Sequence, residues 1–302
     1  MRGSCCLKRR VEQRFRLLAI STVKSARINH LLLFCCIALT LIVLATTAST
    51  VIVSTNHAPP PRHFPLSRKG YSIVMNTWKR YDLLKQSLMH YSSCPRLESV
   101  HIVKLKFDIN KEDSLNNRFK EIKDLDTDAV FSIDDDVIFP CSSVEFAFDV
   151  WQSAPDTMVG FVPRGHWVDS SEGNGDKFRY GGWWSVWWTG TYSMVLSKAA
   201  FFHKKYFSLY TKQMPASIRE YVTKNRNCED IAMSFLVANA TDAPPIWVKG
   251  KIFEIGSTGI SSLGGHSERR TECVNRFTAV YGRMPLVSTS VKAVDSRNIW
   301  FW

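Results

Sequence analysis

Three consecutive carboxylates, Asp134, Asp135 and Asp136, follow the apolar run Ala129–Ile133 and precede a second apolar run, Val137–Phe139. Three adjacent negative charges between apolar segments are costly unless a cation neutralises them. At the carboxyl end of a strand they would face the crevice in which open α/β sheets bind ligands. Carboxylate oxygens suit Mg²⁺ or Mn²⁺, ions that also hold diphosphates. A solvated loop or an acidic cluster at a helix N-terminus is the alternative.

Two further charged groups could take part in the same chemistry. Glu229 and Asp230 precede an apolar helical pattern, and acidic residues in a first helical turn are usually caps that the helix dipole favours. Arg270 follows Arg269 and precedes Cys273. It belongs either to a solvated face or to a site where a cation neutralises a leaving diphosphate. On these residues alone, the cap and the solvated face are the favoured interpretations.

A tryptophan-rich run, GGWWSVWWTG at residues 181–190, contains four of the ten tryptophans in the chain. Exposed aromatic rings offer platforms for the C–H faces of sugars and for apolar headgroups. The alternative is packing in the core, which we expect for at least two of the four. The histidines His101, His166 and His266 are isolated in the sequence, and we do not expect them to bind a metal.

The chain has 302 residues, of which 45% are hydrophobic and 22% charged, a composition that excludes a disordered or collagen-like protein. Its net charge is +12, but residues 1–30 contain eight Lys or Arg and one Glu, which leaves 12 − 7 = +5 for the remainder. The positive charge is therefore concentrated in a tail. A basic groove for nucleic acid is not indicated.

The 24 residues 31–54 carry no charged side chain. As a helix they would extend roughly 36 Å, enough for a hydrocarbon core of about 30 Å, whereas the apolar region of a signal peptide has only ~7–15 residues. The basic flank on the N-terminal side predicts a single-pass type II protein. We expect a cytosolic tail at 1–30, a transmembrane anchor at 31–54, a proline-rich stem at 55–69 and a lumenal domain at 70–302.

The lumen is oxidising, so its cysteines are expected to form disulfides. Cys94, Cys141, Cys228 and Cys273 lie in the predicted lumenal domain and allow three pairings. None has the spacing of a metal site. Asn239 begins a sequon for N-glycosylation.

Apolar periodicity in the lumenal domain predicts alternating strands and helices, and hence an α/β fold with a parallel sheet. Strands are predicted at Tyr71–Thr77, Ser99–Val103, Ala129–Ile133, Met158–Val162, Tyr192–Ser197 and Ile246–Lys249. Helices are predicted at Tyr81–Ser93, Asp113–Ile122, Val144–Ala154, Ala199–Tyr210, Ala216–Thr223, Glu229–Ala240 and Glu268–Tyr281.

Several motifs together resemble glycosyltransferase family 64, the exostosin type. They are FSIDDDVIFP, FAFDVWQSAPDTMVGFVPR, TYSMVLSKAAFFHKKY, NCEDIAMSFL and ERRTECVNRF followed by MPL. The resemblance runs from about residue 70 to the C-terminus. The tryptophan-rich run and the closing DSRNIWFW are most similar to the plant members, which resemble Golgi mannosyltransferases of glycosylinositol phosphorylceramide.

This resemblance implies a GT-A (nucleotide-diphospho-sugar transferase) fold, Mn²⁺ as cofactor and retention of anomeric configuration. Asp136 would bind the metal, and Asp134 and Asp135 would contact the ribose and the sugar. The implied substrates are a nucleotide sugar, GDP-mannose, and a glycolipid acceptor in the Golgi membrane. A transferase of UDP-N-acetylhexosamine and an inactive glycan-binding subunit are the alternatives.

The family motifs also assign residues on either side of the acidic run. Asn76 and Arg80 match the pair that contacts the nucleotide, and Arg118 matches an arginine that binds the donor. Asp113 lies where relatives often have Asn, and it is assigned to the same donor site.

In the C-terminal half, Asp230 matches the catalytic carboxylate, with Glu229 beside it in the donor site. Arg270 matches an arginine near the diphosphate. Cys228 and Cys273 match the disulfide of the family, which would join the segments that carry Asp230 and Arg270.

One segment differs from the family. Where relatives have a tryptophan-containing loop and a crossover after the strand SVHIV, Val103 continues directly into KLKF, and about two dozen residues are missing. A parallel crossover needs a dozen residues or more. Either one long strand forms and the sheet loses a member, or the chain is a compromised variant.

Overall fold

The computed structural model describes residues 35–42, 70–77, 80–104, 114–123, 125–169, 177–256 and 266–298. The chain divides into two units at His63 and Phe64. In the first unit, residues 35–42 form a helix with exposed side chains. Among the described residues no helix has both the length and the apolar character needed to cross a bilayer. The predicted tail and stem, and most of the predicted span at 31–54, lie outside these residues.

The second unit contains alternating strands and helices. The strands are β1 Tyr71–Thr77, β2 Leu97–Lys104, β3 Ala129–Asp134, β4 Val137–Ile138, β5 Val159–Gly160, β6 Pro163–Val168, β7 Phe178–Gly181, β8 Met194–Val195, β9 Ala199–His203, β10 Ile246–Val248, β11 Phe253–Glu254 and β12 Lys292–Ala293. The α-helices are α1 Tyr81–Tyr91, α2 Cys141–Ser153, α3 Trp183–Thr189, α4 Lys205–Lys212, α5 Ala216–Asn225, α6 Glu229–Thr241 and α7 His266–Tyr281. Short 3₁₀ helices form at Leu115–Phe119 and Ser296–Asn298.

Seven of the described strands form a central sheet in the order β12-β10-β5-β9-β3-β1-β2. Strands β2, β1 and β3 are parallel, as are β5, β10 and β12, while β9 runs antiparallel to both β3 and β5. The sheet is therefore mixed, and the prediction of a parallel sheet is wrong at β9. A mixed α/β sheet of this kind is consistent with a GT-A-like fold.

The antiparallel strand β9 also corrects a predicted helix. We expected a helix over Ala199–Tyr210, but Ala199–His203 is a strand and the helix α4 begins only at Lys205. Residues 199–202 are completely buried, because β9 lies in the middle of the sheet and is covered on both faces. An apolar run that is buried on both sides lacks the alternation by which a strand is recognised.

Three other predicted elements are markedly shorter than expected. The helix predicted at Asp113–Ile122 is a 3₁₀ helix at Leu115–Phe119, where the Ser114 side chain accepts a hydrogen bond from the Asn116 backbone N–H. Ser and Asn side chains compete for backbone groups in this way and limit helix propagation. The strands predicted at Met158–Val162 and Tyr192–Ser197 contract to β5 and β8. The β6–β7 hairpin and helix α3 were not predicted.

The pleat of the sheet divides the core into two layers. On β1, Val74 faces one layer while Ile73 and Met75 face the other, and Val130 and Phe131 alternate in the same way on β3. The first layer is covered by α4, α5, α6 and α7, and the second by α1 and α2. Because side chains of a strand alternate with period two, this sheet is sandwiched between helices on both faces.

Two disulfides connect elements of this fold. Cys94 is bonded to Cys141 at the start of α2, and Cys228 is bonded to Cys273 of α7. Of the three pairings that the sequence allowed, this is the one that contains the bridge implied by the family resemblance.

Strand β2 is one of the two edge strands of the central sheet. Its residues 97–104 form one continuous strand that pairs in parallel with β1. Among the described residues, which in this region end at Lys104, the structure has a single strand where the family pattern predicts two.

Candidate active site

Strands β1 and β3 bring Asn76 and the acidic run together. Asn76 is the pairing partner of Asp134 in the parallel ladder, and the Asp135 backbone N–H donates to the Asn76 carbonyl at 3.1 Å. The two strands end at the same edge of the sheet because they are parallel and in register. The three carboxylates therefore follow a buried strand into the region where α/β proteins bind ligands.

Asp135 is fully buried and held by three donors. The Thr77 hydroxyl donates to its Oδ2 at 2.6 Å, Arg80 donates to its Oδ1, and the Ser87 hydroxyl donates to its carbonyl at 2.8 Å. Burial raises the pKa of Asp135, an effect that the Thr77 hydrogen bond and the Arg80 charge oppose. Arg80 also donates to Asp136 Oδ2 at 2.6 Å, so one guanidinium joins two neighbouring carboxylates.

Asp136 is fixed from the other side by the segment after β11. The Ile255 backbone N–H donates to the Asp136 carbonyl at 2.8 Å. Gly256 lies so close that a Cβ at this position would be 2.9 Å from Asp136 Cβ. This close approach explains why a glycine is needed here, a requirement that the sequence alone did not indicate.

The described residues contain no group of three or more His, Cys, Asp or Glu side chains arranged to hold a metal ion. Mg²⁺ and related ions are nevertheless often bound through one or two carboxylates together with substrate phosphates. Asp136, partly exposed at the end of the acidic run, offers one such carboxylate. The described residues therefore fit a divalent ion held chiefly by a diphosphate.

Arg118 connects the acidic run to the carboxylate pair Glu229 and Asp230. It donates to Asp134 Oδ1 and, through Nη1, to the Ser197 hydroxyl at 3.2 Å, and the same nitrogen lies 3.7 Å from Glu229 Oε1. Its Nε atom is buried and has no hydrogen-bond partner among the described residues, and the same is true of Asn76 Oδ1. Buried polar atoms of this kind are normally satisfied, so both retain capacity for a ligand.

Glu229 and Asp230 form the first turn of α6, directly after Cys228. Asp230 Oδ1 accepts from the Ile231 backbone N–H at 2.8 Å, and its Oδ2 accepts from Arg270 Nη2 at 2.9 Å. The Asp230 carboxylate therefore binds a buried cation as well as a backbone N–H of its own helix. The interpretation of Asp230 as only a helix cap is wrong.

The pKa values of Glu229 and Asp230 are shifted in opposite directions. Burial and then the Asp230 charge raise the pKa of Glu229 to about 7. Burial also acts on Asp230, but the Arg270 and Arg118 charges outweigh it and lower the pKa of Asp230. The pair therefore holds one firmly ionised carboxylate beside one that exchanges its proton near neutrality, a combination typical of functional sites.

Arg270 is buried between Asp230 and Tyr180. Its Nη1 donates to the Tyr180 hydroxyl at 3.0 Å, and its guanidinium carbon lies 5.4 Å from the centre of the Tyr180 ring. The Cys228–Cys273 disulfide lies one turn away on α7 and ties this helix to the start of α6. Arg270 is therefore not part of a solvated face. Tyr180 was missed, because a single tyrosine on a hairpin strand carries no sequence signal.

The predicted site residues thus lie in one connected set of contacts. The members that the structure brings together are Asn76, Arg80, Arg118, Asp134, Asp135, Asp136, Glu229, Asp230 and Arg270. Asp113 lies outside the described residues. Thr77, Ser87 and Ser197 join the set without having been predicted, since isolated hydroxyl residues carry no distinctive pattern.

The tryptophan-rich run corrects another expectation. Trp183, Trp184, Trp187 and Trp188 are 44%, 76%, 63% and 82% exposed. The prediction that at least two of the four pack in the core is therefore wrong. The residue of α3 that enters the core is Val186.

The sequence profile of the Glycosyl transferase family 64 domain matches residues 71–300. The chain is 62% identical over 330 aligned positions to the Arabidopsis thaliana protein named glycosylinositol phosphorylceramide mannosyl transferase 1, covering 99% of this chain and 97% of that protein. Because the chain has 302 residues, at least 330 − 302 = 28 of these positions have no counterpart in it. This shortfall is similar in size to the segment of about two dozen residues that the family resemblance leads us to expect after Val103.

Animal exostosins are also similar. Human exostosin-2 is 35% identical over 247 positions, and bovine exostosin-1 is 40% identical over 185. These matches cover 74% and 59% of this chain but only 33% and 24% of the exostosins, so the chain corresponds to about a quarter to a third of their length. The profile match and the near full-length identity to the plant transferase show that the chain belongs to glycosyltransferase family 64 and is a glycosyltransferase.

Proposed function

We propose that this glycosyltransferase moves mannose from GDP-mannose to the glycan of a glycosylinositol phosphorylceramide, with Mn²⁺ as cofactor and with retention of anomeric configuration. The observation that carries the proposal is the 62% identity, over nearly the whole chain, to a plant enzyme named for mannosyl transfer to this lipid. The connected set of buried carboxylates and arginines supplies the chemistry that such a transfer needs.

The donor nucleotide is proposed to bind where β1 and β3 end. Asn76 and Arg80 would contact the nucleotide, and Asp134 and Asp135 the ribose and the sugar. The unsatisfied Asn76 Oδ1 and Arg118 Nε support this assignment, because a donor would supply the partners that both atoms lack in the described chain. We assign Asp113 to the same donor site on the family resemblance.

Asp136 is proposed to hold Mn²⁺ together with the donor diphosphate. When bound, the ion would neutralise charge on the diphosphate and make it a better leaving group. Arg80, which donates to Asp135 and Asp136, would then exchange a carboxylate for a donor phosphate oxygen.

The chemical step is proposed to take place beside Asp230. The bond between the anomeric carbon and the diphosphate breaks with its electron pair going to the diphosphate, and the acceptor hydroxyl forms the new bond. The ionised Asp230 carboxylate would stabilise the positive charge at the anomeric carbon, either covalently or electrostatically during attack from the same face. The buried cation Arg270 would stabilise the leaving diphosphate. The acceptor proton would leave with a diphosphate oxygen or pass to Glu229.

We also propose a location for the reaction. A cytosolic tail at 1–30, a membrane anchor at 31–54 and a stem at 55–69 would hold the domain in the Golgi lumen, as a type II protein. The basic flank and the uncharged 24-residue segment support this topology. Protease added to intact microsomes should spare residues 55–302, and digestion without detergent would contradict the topology.

A second function is favoured by one observation. At least 28 aligned positions of the plant relative have no counterpart here. A chain that lacks a substrate-binding segment could retain donor or glycan binding and serve as an inactive partner subunit. Binding without turnover would distinguish this function from the first.

A donor screen tests both functions. The purified full chain would be titrated by calorimetry with GDP-mannose and UDP-N-acetylglucosamine, with Mn²⁺ present and absent, while released nucleotide is measured. We expect Mn²⁺-dependent binding and turnover of GDP-mannose. Asp242→Asn is the matched control, because Asp242 is an exposed carboxylate at the far end of α6, and it should behave like the wild type. Preference for the UDP-sugar would overturn the donor assignment.

A further inference from the structure

Helix α3 carries an exposed surface made of four indole rings. Trp183, Trp184, Trp187 and Trp188 occupy positions i, i+1, i+4 and i+5, which fall on one side of a helix with 3.6 residues per turn. Val186 lies on the opposite side and is 1% exposed, so it anchors the helix to the core. We refer to these four residues as the tryptophan face.

The rings of this face touch one another but do not cover one another. Trp187 lies 6.1 Å from Trp184 and 6.3 Å from Trp188 between ring centroids, and the three remain 63–82% exposed. Contiguous exposed aromatic surface of this kind marks an interaction site. It must be covered by another molecule for its apolar area to leave water.

A positively charged side chain, that of Lys292, lies near the tryptophan face. Trp183 contacts Trp247, and the Lys292 ammonium lies 5.3 Å above the Trp247 ring. The sequence contains no Asp or Glu between Lys177 and Lys198. Val291, next to Lys292, is 71% exposed. Aromatic rings beside a lysine match an apolar layer that carries negative charge.

The tryptophan face also begins next to the candidate active site. Helix α3 starts three residues after Tyr180, whose hydroxyl accepts a hydrogen bond from Arg270. Gly181 keeps this connection tight, because a Cβ there would lie 2.7 Å from the Trp167 ring. A surface that covers the tryptophan face is therefore brought close to the site of transfer.

We propose that the tryptophan face docks onto the headgroup region of an anionic lipid bilayer and presents a membrane-embedded acceptor to the site. Indole rings favour this region because they combine an apolar body with a polar N–H, and lysine is attracted to its surface charge. In the sequence, the uncharged segment 31–54 ends 16 residues before β1. The identity of the acceptor rests on the proposed function, whereas the docking does not.

Quenching of tryptophan fluorescence by brominated lipids tests the docking. The full chain would be reconstituted in vesicles of phosphatidylcholine and phosphatidylserine with or without bromine on the acyl chains. The triple variant Trp184→Ser, Trp187→Ser, Trp188→Ser should lose most of the quenching seen in the wild type, and Trp188→Ala should lose part of it. Met89→Ser, an equally exposed apolar residue on α1, should leave quenching unchanged.

A second readout separates docking from catalysis. With an acceptor embedded in the vesicles, the triple variant should transfer sugar at least about tenfold more slowly, while transfer to a soluble headgroup glycan should stay unchanged. Quenching that is equal in the triple variant and the wild type would overturn the docking. So would dimerisation through the tryptophan face, or protection of that face by the soluble glycan. Quenching without any transfer would instead refute the proposed function and leave the docking intact.

Discussion

Replacing Glu229 by Gln should stabilise the fold at alkaline pH and leave it almost unchanged in acid. The side chain is buried beside the ionised Asp230, and burial followed by the Asp230 charge raises its pKa to about 7 from an ordinary 4.5. In the folded protein Glu229 therefore binds its proton more tightly than in the unfolded chain. Stability falls as pH rises through this interval, because the unfolded chain ionises first.

The size of the change in stability follows from the size of the pKa shift of Glu229. At 1.36 kcal/mol per pKa unit, the rise from 4.5 to about 7 corresponds to about 3 kcal/mol of folding free energy that is lost above pH 7. Most of this loss occurs between pH 5 and pH 8. The contribution of Asp230 to stability does not change between pH 5 and pH 8, because its pKa is lowered. That contribution is fully present above the ordinary pKa of 3.8 and is lost only in stronger acid. Burial lowers the pKa of His166 to about 4, so it destabilises the fold as pH falls below 6.5, equally in wild type and variant.

The assay is urea unfolding of detergent-solubilised full chain at pH 5 and pH 8, followed by circular dichroism. Glu229→Gln should gain up to about 3 kcal/mol over the wild type at pH 8 and less than about 1 kcal/mol at pH 5. Glu220→Gln, the same substitution at an exposed position of α5, is the matched control and should show no such difference. An equal difference at both pH values, or destabilisation at pH 8, would refute the reasoning about this carboxyl pair.

Three further changes test other parts of the site. Replacing Cys228 and Cys273 together by Ser should cost about 4 kcal/mol, since the bridge closes a loop with a separation of 45 residues; equal urea midpoints for variant and wild type would contradict this. Asp136→Asn should weaken calorimetric binding of GDP-mannose at low Mn²⁺ by at least about tenfold, equivalent to about 1.4 kcal/mol, and excess Mn²⁺ should restore part of it; unchanged affinity would remove Asp136 from the metal site. Gly256→Ala should weaken the same binding in the same direction, because its Cβ would displace Asp136, and normal affinity would show that the contact is unimportant.

The elements around the acidic run could be predicted from sequence, because their apolar patterns are strong. Strand β1 was predicted with the bounds that the structure has, and β3 and α6 differ by a single residue at one end. The polar residues of β1 and β3 come at the ends of these strands, and Glu229 and Asp230 begin α6. Because β1 and β3 are parallel, their polar ends meet at one edge of the sheet. The Cys228–Cys273 bridge came from the family resemblance, since residue spacing left three pairings open.

Other features depend on contacts between distant segments and had no local signal. Strand β9 is buried on both faces, so its pattern could not be distinguished from that of a buried helix. Tyr180 and Gly256 matter because Arg270 and Asp136 approach them in the folded chain. At least two of the four tryptophans of α3 were expected to pack in the core, yet Val186 is the residue that anchors that short helix to the core.

The most direct test of the central claim is mannosyl transfer by the full chain, compared with its Asp230→Asn variant. GDP-mannose labelled in the sugar would be incubated with Mn²⁺ and glycosylinositol phosphorylceramide, and labelled lipid would be followed with time while donor affinity is measured in parallel. We predict that the wild type forms labelled lipid, and that the variant loses roughly 10²–10³ in rate while binding the donor normally. A wild type that binds GDP-mannose without transferring mannose, or a variant that transfers it at the wild-type rate, would contradict the account.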